Sequence, residues 1–237
     1  MNKRAVLIAF EGVDGSGKGT QADILMNELI RQGLRTEIVS FPRYGKTAFS
    51  EKIAKYLNGD YGSIYSLPPE FPVLLYAGDR FESKSELFRL MENNDVIILD
   101  RYVSSNLAYQ SAKLPEDKVK KMMSWIVRLE YELYKLPPAD ITIFLDVGIE
   151  KASEMIQKKS PREYTNKKAD LHEENKSYLE RCSNIYKELA EENFYSQWVV
   201  IDCHQPNGKV KTKDEIALEI KNNLKINELL FSVNKSL

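Results

Sequence analysis

The sequence predicts a three-layer α/β fold in which a five-stranded parallel β-sheet carries helices on both faces. Short continuous runs of aliphatic residues, such as residues 5–10 and 96–99, are typical of strands buried on both faces. Segments with apolar residues at helical spacing alternate with these runs, and this alternation indicates crossover helices between parallel strands. Because the chain has 237 residues and no long linker, we expect residues 1–237 to form one domain.

The predicted elements alternate along the chain. The first strand, residues 5–10, leads through a glycine-rich turn into a helix over residues 20–32, and Gly33 supplies a C-terminal cap signal. A later helix ends before Pro137, because the residue that precedes a proline disfavours helical geometry. The other predicted strands are residues 36–41, 96–99, 141–147 and 198–202, and the other predicted helices are residues 48–57, 72–91, 104–112, 116–135, 149–157, 173–192 and 214–230.

The composition argues against several classes of protein. A formal net charge of −1 gives no overall attraction to nucleic acid or to an anionic membrane, and no apolar stretch is long enough to span a bilayer. The two cysteines, Cys182 and Cys203, have no metal-ligand spacing and make no disulfide framework, which favours a reducing compartment. We therefore expect a cytoplasmic protein whose partners are small molecules, with neither nucleic acid nor a membrane among them.

The glycine-rich turn carries the strongest functional signal. Residues 12–20 read Gly-Val-Asp-Gly-Ser-Gly-Lys-Gly-Thr between a predicted strand and a predicted helix, which is the context of a phosphate-binding P-loop. Glycines let backbone N–H groups turn toward phosphate oxygens, and the helix N-terminus adds partial positive charge. The alternative is a turn that only packs the helix on the strand. The candidate ATP-binding residues are Gly12, Gly15, Ser16, Gly17, Lys18, Gly19 and Thr20.

An aspartate at the end of a predicted strand is the candidate metal ligand. Asp100 follows an apolar run, as does the carboxylate that P-loop proteins present to Mg²⁺. The alternative is a strand-terminal aspartate that caps the next helix. The hydroxyl that completes such a magnesium site normally follows the P-loop lysine directly, but here Gly19 takes that position and Thr20 comes next. We expect Mg²⁺ as the cofactor, held with ATP by Asp100 and Thr20.

Four separated motifs resemble the thymidylate kinase family of P-loop nucleoside monophosphate kinases. The resemblance runs from about residue 4 to residue 202, and the tail beyond residue 203 matches less clearly. It implies a P-loop kinase fold, a homodimer built through helices, and transfer of the γ-phosphoryl group of ATP to dTMP. The motifs are Phe10-Glu11-Gly12-Val13-Asp14, Phe41-Pro42-Arg43, Leu74-Leu75-Tyr76-Ala77-Gly78-Asp79-Arg80 and Asp100-Arg101-Tyr102-Val103-Ser104-Ser105-Asn106.

Candidate acceptor-binding residues lie mainly on two predicted helices. Tyr76 and Arg80 are four residues apart, so they share a helix face that offers an aromatic ring beside a hydrogen-bond donor. The alternative for this pair is a core tyrosine and a surface arginine. By the resemblance, the pair stacks on thymine and hydrogen-bonds it, and Asn106 contacts the base region. The resemblance also implies that Tyr109 packs against the sugar 2′ position, where it disfavours ribonucleotides, and that Asp14 approaches the 3′-hydroxyl.

Three arginines are candidates for contact with phosphate. Arg43 and Arg101 both follow strand ends, where two guanidinium groups can clamp the acceptor phosphate. Some members of the family carry a further arginine in the P-loop, but this chain has Gly15 there. Residues 158–170 are polar and basic without apolar periodicity, which predicts either a mobile lid that donates Arg162 or merely a solvated basic loop. The candidate catalytic residues are Lys18, Asp100, Arg101 and Arg162.

These expectations describe a dTMP kinase with ATP and dTMP as substrates. No general base is required, because a phosphate monoester is largely dianionic at neutral pH. One alternative is a kinase for another nucleoside monophosphate, since Gly-Lys-Gly-Thr is similar to the adenylate kinase sequence. The other is a P-loop switch that hydrolyses nucleotide without an acceptor.

Overall fold

The sheet consists of five parallel strands, which confirms the predicted fold class. The computed structural model describes residues 4–158 and 175–224. All six residues of the central strand β1 are buried, as its continuous apolar run predicts. The strands are β1 (Val6–Glu11), β2 (Thr36–Ser40), β3 (Val96–Asp100), β4 (Ile141–Asp146) and β5 (Gln197–Asp202), and they lie in the order β2-β3-β1-β4-β5.

Helices connect successive strands. The chain moves from β1 first to β2 and later to β4 and β5 on the opposite side, so right-handed crossovers place helices on both faces of the sheet. In the described part of the chain, no helix is long and apolar enough to cross a membrane. The helices are α1 (Lys18–Arg31), α2 (Ala48–Leu57), α3 (Glu70–Glu82), α4 (Lys84–Asn93), α5 (Val103–Ser111), α6 (Glu116–Val127), α7 (Ile149–Lys158), α8 (Lys176–Glu191) and α9 (Lys213–Asn223), with a π-helical turn at Arg128–Leu133.

The carboxyl ends of β1, β2 and β3 meet at one edge of the sheet. Asp100, the last residue of β3, is in register with Phe10 of β1 and Ser40 of β2. The segments that follow these strands therefore share this edge, where ligands bind in open α/β sheets. The P-loop follows β1, Arg43 follows β2 and Arg101 follows β3.

Two predicted helices differ from the observed ones. The helix predicted over residues 72–91 is wrong as a single element, because Ser83 separates α3 from α4. Apolar periodicity continues across Ser83, so the pattern carries no sign of the break. The helix predicted over residues 116–135 is α-helical only to Val127 and continues as the π-helical turn. That turn contains Glu130, which is fully buried, and a charged residue does not stand out as a core position in the sequence.

Candidate active site

The loop between β1 and α1 forms a phosphate cradle, residues 12–20. Gly12, Gly15 and Gly17 have φ angles of 142°, 83° and 88°, which glycine adopts without strain. A Cβ atom on Gly15 would lie 2.3 Å from the carbonyl oxygen of Ala152 in α7, so only glycine fits at this position. Helix α1 begins at Lys18, and the first N–H groups of a helix make no intrahelical bonds. The loop and the helix N-terminus together suit an anion.

The Lys18 side chain folds back over the cradle loop. Its Nζ donates to the carbonyl oxygens of Gly12 and Val13 at 3.0 and 2.8 Å, and it lies 3.3 Å from Ser16 Oγ. The side chain is buried, which strengthens the field of its charge inside the cradle. A buried ammonium group beside helix N–H groups makes this part of the cleft cationic.

Asp100 faces the start of α1. A Cβ atom on Gly19 would lie 3.4 Å from Asp100 Oδ2, whereas Thr20, the next residue along the helix, is exposed. The glycine therefore leaves the carboxylate open toward the cradle. Among the residues that the structure describes, no three His, Cys, Asp or Glu side chains gather into a metal-binding group. One carboxylate beside a phosphate cradle nevertheless suits Mg²⁺, which takes one or two protein carboxylates and completes its shell with phosphate oxygens and water.

Asp14, Arg101 and Tyr109 form a polar group beside the cradle, here called the Asp14 cluster. Arg101 Nη2 donates to Asp14 Oδ1 at 2.6 Å, and the Tyr109 hydroxyl donates to Asp14 Oδ2 at 2.8 Å. Arg101 has a φ angle of 67°, a strained conformation for a residue with a side chain. Burial opposes the charge on Arg101, but Asp14 outweighs it and raises the pKa of Arg101 well above its usual value. The guanidinium is therefore charged throughout the physiological range.

Glu11 supports the Asp14 cluster, and sequence reasoning missed its role. Its Oε1 accepts hydrogen bonds from the backbone N–H groups of Tyr102 and Ser105 at 2.8 and 3.1 Å. Its Oε2 accepts from the hydroxyls of Ser105 and Tyr186 at 2.6 and 2.8 Å. Burial raises the pKa of Glu11, and these donors oppose the rise. The carboxyl group links β1 to the start of α5. A charged residue at the end of an apolar strand was the feature of the sequence that could have indicated this role.

Arg43 belongs to a second buried polar group at the same edge. Its backbone N–H donates to Asp79 Oδ2 at 3.0 Å, and Asp79 also accepts a short hydrogen bond from the Thr47 hydroxyl. Burial raises the pKa of Asp79, against the effect of these donors. Arg43 Nη2 donates to Glu86 Oε2 at 2.5 Å, while Arg43 Nε is buried and has no partner within residues 4–158 and 175–224.

Arg80, Asn106 and Glu130 form a third polar group, the Arg80 cluster. Arg80 Nε and Nη2 donate to the two oxygens of Glu130 at 2.5 and 2.7 Å, and both side chains are almost inaccessible to solvent. Asn106 Nδ2 donates to Glu130 Oε1 at 2.8 Å and to the Val73 carbonyl oxygen at 3.2 Å. Asn106 Oδ1 is buried and has no partner in the part of the chain that the structure describes.

The remaining candidates divide into two groups. Tyr76 is half-buried on α3, one turn before Arg80, and packs against a small core that includes Ile53 and Leu75. Arg162 and residues 159–170 of the predicted lid lie outside the described residues. Sequence reasoning missed Glu130 entirely, because the pairing of α3 with the π-helical turn leaves no trace in local spacing.

The fold and the cradle together define a P-loop nucleotide-binding protein with buried cationic and polar side chains near the carboxyl edge of the sheet. The family model for thymidylate kinase matches residues 10–214 of this chain. The chain therefore belongs to the thymidylate kinase family.

Individual relatives agree with this assignment. A thymidylate kinase of Mycobacterium tuberculosis is 32% identical over 209 residues, covering 86% of this chain and 95% of the relative. A thymidylate kinase of Halothermothrix orenii is 30% identical over 225 residues, covering 94% and 97% of the two chains. The solved structure of a thymidylate kinase from Candida albicans superimposes with a TM-score of 0.71 at 23% identity, covering 96% of this chain and 94% of that one, and it supports the fold.

Proposed function

We propose that this protein transfers the γ-phosphoryl group of ATP to dTMP and releases ADP and dTDP. The observation that carries the proposal is the Asp14 cluster, which joins the phosphate cradle to the α5 helix through hydrogen bonds of 2.6 and 2.8 Å. It puts three groups beside the ATP site. The charged guanidinium suits a phosphate, the carboxylate suits a 3′-hydroxyl, and the tyrosine side chain suits a sugar ring.

The phosphate groups are bound by cations and by backbone N–H groups. Lys18 and the glycines of the cradle hold the β- and γ-phosphates of ATP. Arg43 and Arg101 clamp the acceptor phosphate, because a guanidinium matches phosphate oxygens bidentately. The acceptor is already largely dianionic at neutral pH, so catalysis rests on alignment and charge neutralisation.

Asp100 and Thr20 are our proposed protein ligands of Mg²⁺. The fit rests on the carboxylate that faces Gly19 beside the cradle. Held by these residues, Mg²⁺ would supply positive charge against the phosphates of ATP. Glycine at position 19 keeps a side chain from standing between the carboxylate and the phosphates.

The Arg80 cluster and Tyr76 bind the thymine ring. Because Asn106 Nδ2 is committed to Glu130 and Val73, its Oδ1 presents an acceptor that suits the N3–H donor of thymine. Cytosine carries an acceptor at N3, so the same oxygen repels it. Two of the Arg80 N–H donors bond to Glu130, and other N–H groups of the guanidinium can donate to the ring carbonyl. Tyr76 stacks on the ring, Tyr109 excludes a 2′-hydroxyl and Asp14 accepts from the 3′-hydroxyl.

Arg162 is our proposed donor to the migrating phosphoryl group. Gly15 cannot be replaced by the P-loop arginine of other family members without moving α7, because Ala152 occupies the space of its side chain. We therefore place the donor elsewhere in the chain, at Arg162. Arg162→Ala should lower kcat at least about 10²-fold while dTMP binding changes little, as stopped-flow binding and steady-state turnover would measure. Near-normal turnover would move the role to Lys158 or Lys159, and Lys168→Ala is the matched control.

A homodimer and a cytoplasmic location complete the proposal. Neighbouring helices α2, α3 and α4 expose Phe49, Phe81 and Phe88, which suits an interface between two copies of the chain. Both cysteines are unpaired thiols, which suits a reducing compartment. Sedimentation velocity should give a dimer mass, and Phe81→Glu should shift it toward the monomer.

The acceptor panel tests the function. We expect kcat/KM for ADP formation to be highest with dTMP, lower with dCMP and CMP, and lowest with AMP. A higher kcat/KM with AMP or CMP would favour a kinase for another nucleoside monophosphate. ADP formation at the same rate without any acceptor would instead favour a nucleotide-hydrolysing switch.

A further inference from the structure

We infer that Glu86 is a displaceable counter-ion of Arg43, which competes with the acceptor phosphate and so limits how tightly nucleotide is held. The inference rests on the proposed function, since it concerns the phosphate that Arg43 binds. It assigns a role to a residue of α4 that lies outside every motif in the sequence.

The Arg43 guanidinium is poorly satisfied by the protein. A guanidinium has five N–H donors. Within the described ranges, 4–158 and 175–224, its side-chain hydrogen bond is the one to Glu86 Oε2, and Nε is left buried without a partner. Arg43 is nevertheless only 7% exposed. A buried cation with donors to spare is a site for an anion that brings several acceptor oxygens.

The backbone of Arg43 is held independently of Glu86. Asp79 is fully buried and accepts from the Arg43 N–H, and the Thr47 hydroxyl also donates to Asp79. Loss of the Glu86 contact therefore leaves the position of Arg43 in the chain unchanged. The Arg101 guanidinium differs, because it is bonded to Asp14, to the Gly12 carbonyl and to Ser105 Oγ.

The Glu86 carboxylate can move away from Arg43. Its side chain is 42% exposed and projects from the first turn of α4, so the carboxylate can turn into solvent at small cost. A phosphate dianion that approaches Arg43 repels this carboxylate, and both compete for the same Nη2 donors. When the nucleotide departs, Glu86 can bond to Arg43 again. Ground-state affinity for the acceptor and for the product is therefore lower than two arginines alone would produce.

The test is to remove the charge of Glu86 and measure binding. Glu86→Gln should tighten dTMP and dTDP about 3- to 10-fold, the scale of one partly screened charge a few ångströms away. Thymidine lacks the phosphate, so its dissociation constant should change less than about 2-fold. Glu92→Gln makes the same charge change at an exposed position of α4 and should leave all three constants unchanged. In an Arg43→Met background, Glu86→Gln should have no effect on dTMP binding.

The outcomes separate this inference from the proposed function. Weaker or unchanged dTMP binding by Glu86→Gln, with a wild-type enzyme that phosphorylates dTMP, would overturn the counter-ion role alone. Equal tightening of thymidine and dTMP would also overturn it, since the effect would not depend on phosphate. A wild-type protein that does not phosphorylate dTMP would overturn the proposed function itself.

Discussion

The phosphate cradle and the Arg80 cluster are built in different ways. The cradle is contiguous in the sequence and uses backbone groups whose conformation is set by glycines at positive φ. The Arg80 cluster brings together side chains from α3, α5 and the π-helical turn, and these side chains hold one another. Phosphate is common to every nucleotide, whereas the base is not. Changes in the cradle should therefore lower all reactions alike, and changes around the acceptor nucleoside should alter the ratios between substrates.

Replacement of Lys18 should have the largest effect. Lys18→Met removes the buried ammonium group from the cradle, so we expect kcat to fall about 10²- to 10³-fold. Because we propose that the lysine contacts ATP phosphates rather than the acceptor base, the kcat/KM ratio of dTMP to dUMP should stay within about 2-fold of the wild-type ratio. Steady-state ADP release would measure both quantities. Lys120→Met is the matched exposed control. A changed acceptor ratio in Lys18→Met would contradict the expectation that the cradle affects all acceptors alike.

Two glycine substitutions separate the cost of backbone strain from the cost of a steric clash in the cradle. Gly15→Ala and Gly17→Ala both force a side chain into positive φ, at about 1–2 kcal/mol each. A Cβ atom at Gly15 also meets the Ala152 carbonyl oxygen, whereas one at Gly17 has open space. We expect Gly15→Ala to lose at least about 1 kcal/mol more free energy of unfolding than Gly17→Ala. Urea denaturation measures the difference, and equal losses would mean that α7 does not pack on the loop.

Tyr109 tests the sugar site. Tyr109→Ala should lower the preference for dTMP over the ribonucleotide by about 1–3 kcal/mol, because it removes the ring that we propose excludes a 2′-hydroxyl. Tyr109→Phe keeps the ring and loses the hydroxyl that bonds to Asp14, so it should keep most of the preference. Competition between dTMP and ribo-TMP in one reaction would give the ratios. An unchanged ratio in Tyr109→Ala would remove this residue from the sugar site.

Lys113 should affect the pH dependence of stability rather than turnover or the choice of acceptor. Burial lowers the pKa of Lys113 to about 7 from its usual value of 10.5, and its Nζ donates to the Tyr56 hydroxyl and to Gln110. Between these two pKa values the unfolded chain binds more protons than the folded chain, so stability rises with pH. The stability of wild type relative to Lys113→Met should grow from pH 7 to 9, by at most about 1.4 kcal/mol per unit. Urea denaturation at both pH values would measure it, and a flat or falling difference would contradict the burial of this lysine.

The same contrast explains what could be predicted from the sequence. The strands and the cradle follow from local patterns, since buried parallel strands read as apolar runs and P-loops keep fixed spacing. Arg43 and Arg101 were predicted to lie at the carboxyl edge because both follow strand ends, and they do lie there. Glu86, Glu130 and the function of Glu11 were missed, because their partners lie 43, 50 and 91 or more residues away. The break at Ser83 was missed because one turn residue does not disturb apolar periodicity.

The fate of the γ-phosphoryl group tests the central claim most directly. The protein would be given ATP labelled in the γ-phosphate, with dTMP, dCMP and AMP present together at equal concentrations and with Mg²⁺. We predict that most of the label enters dTDP and that little of it appears in inorganic phosphate. Label that accumulates mainly in dCDP, ADP or inorganic phosphate would contradict the assignment of dTMP as the acceptor.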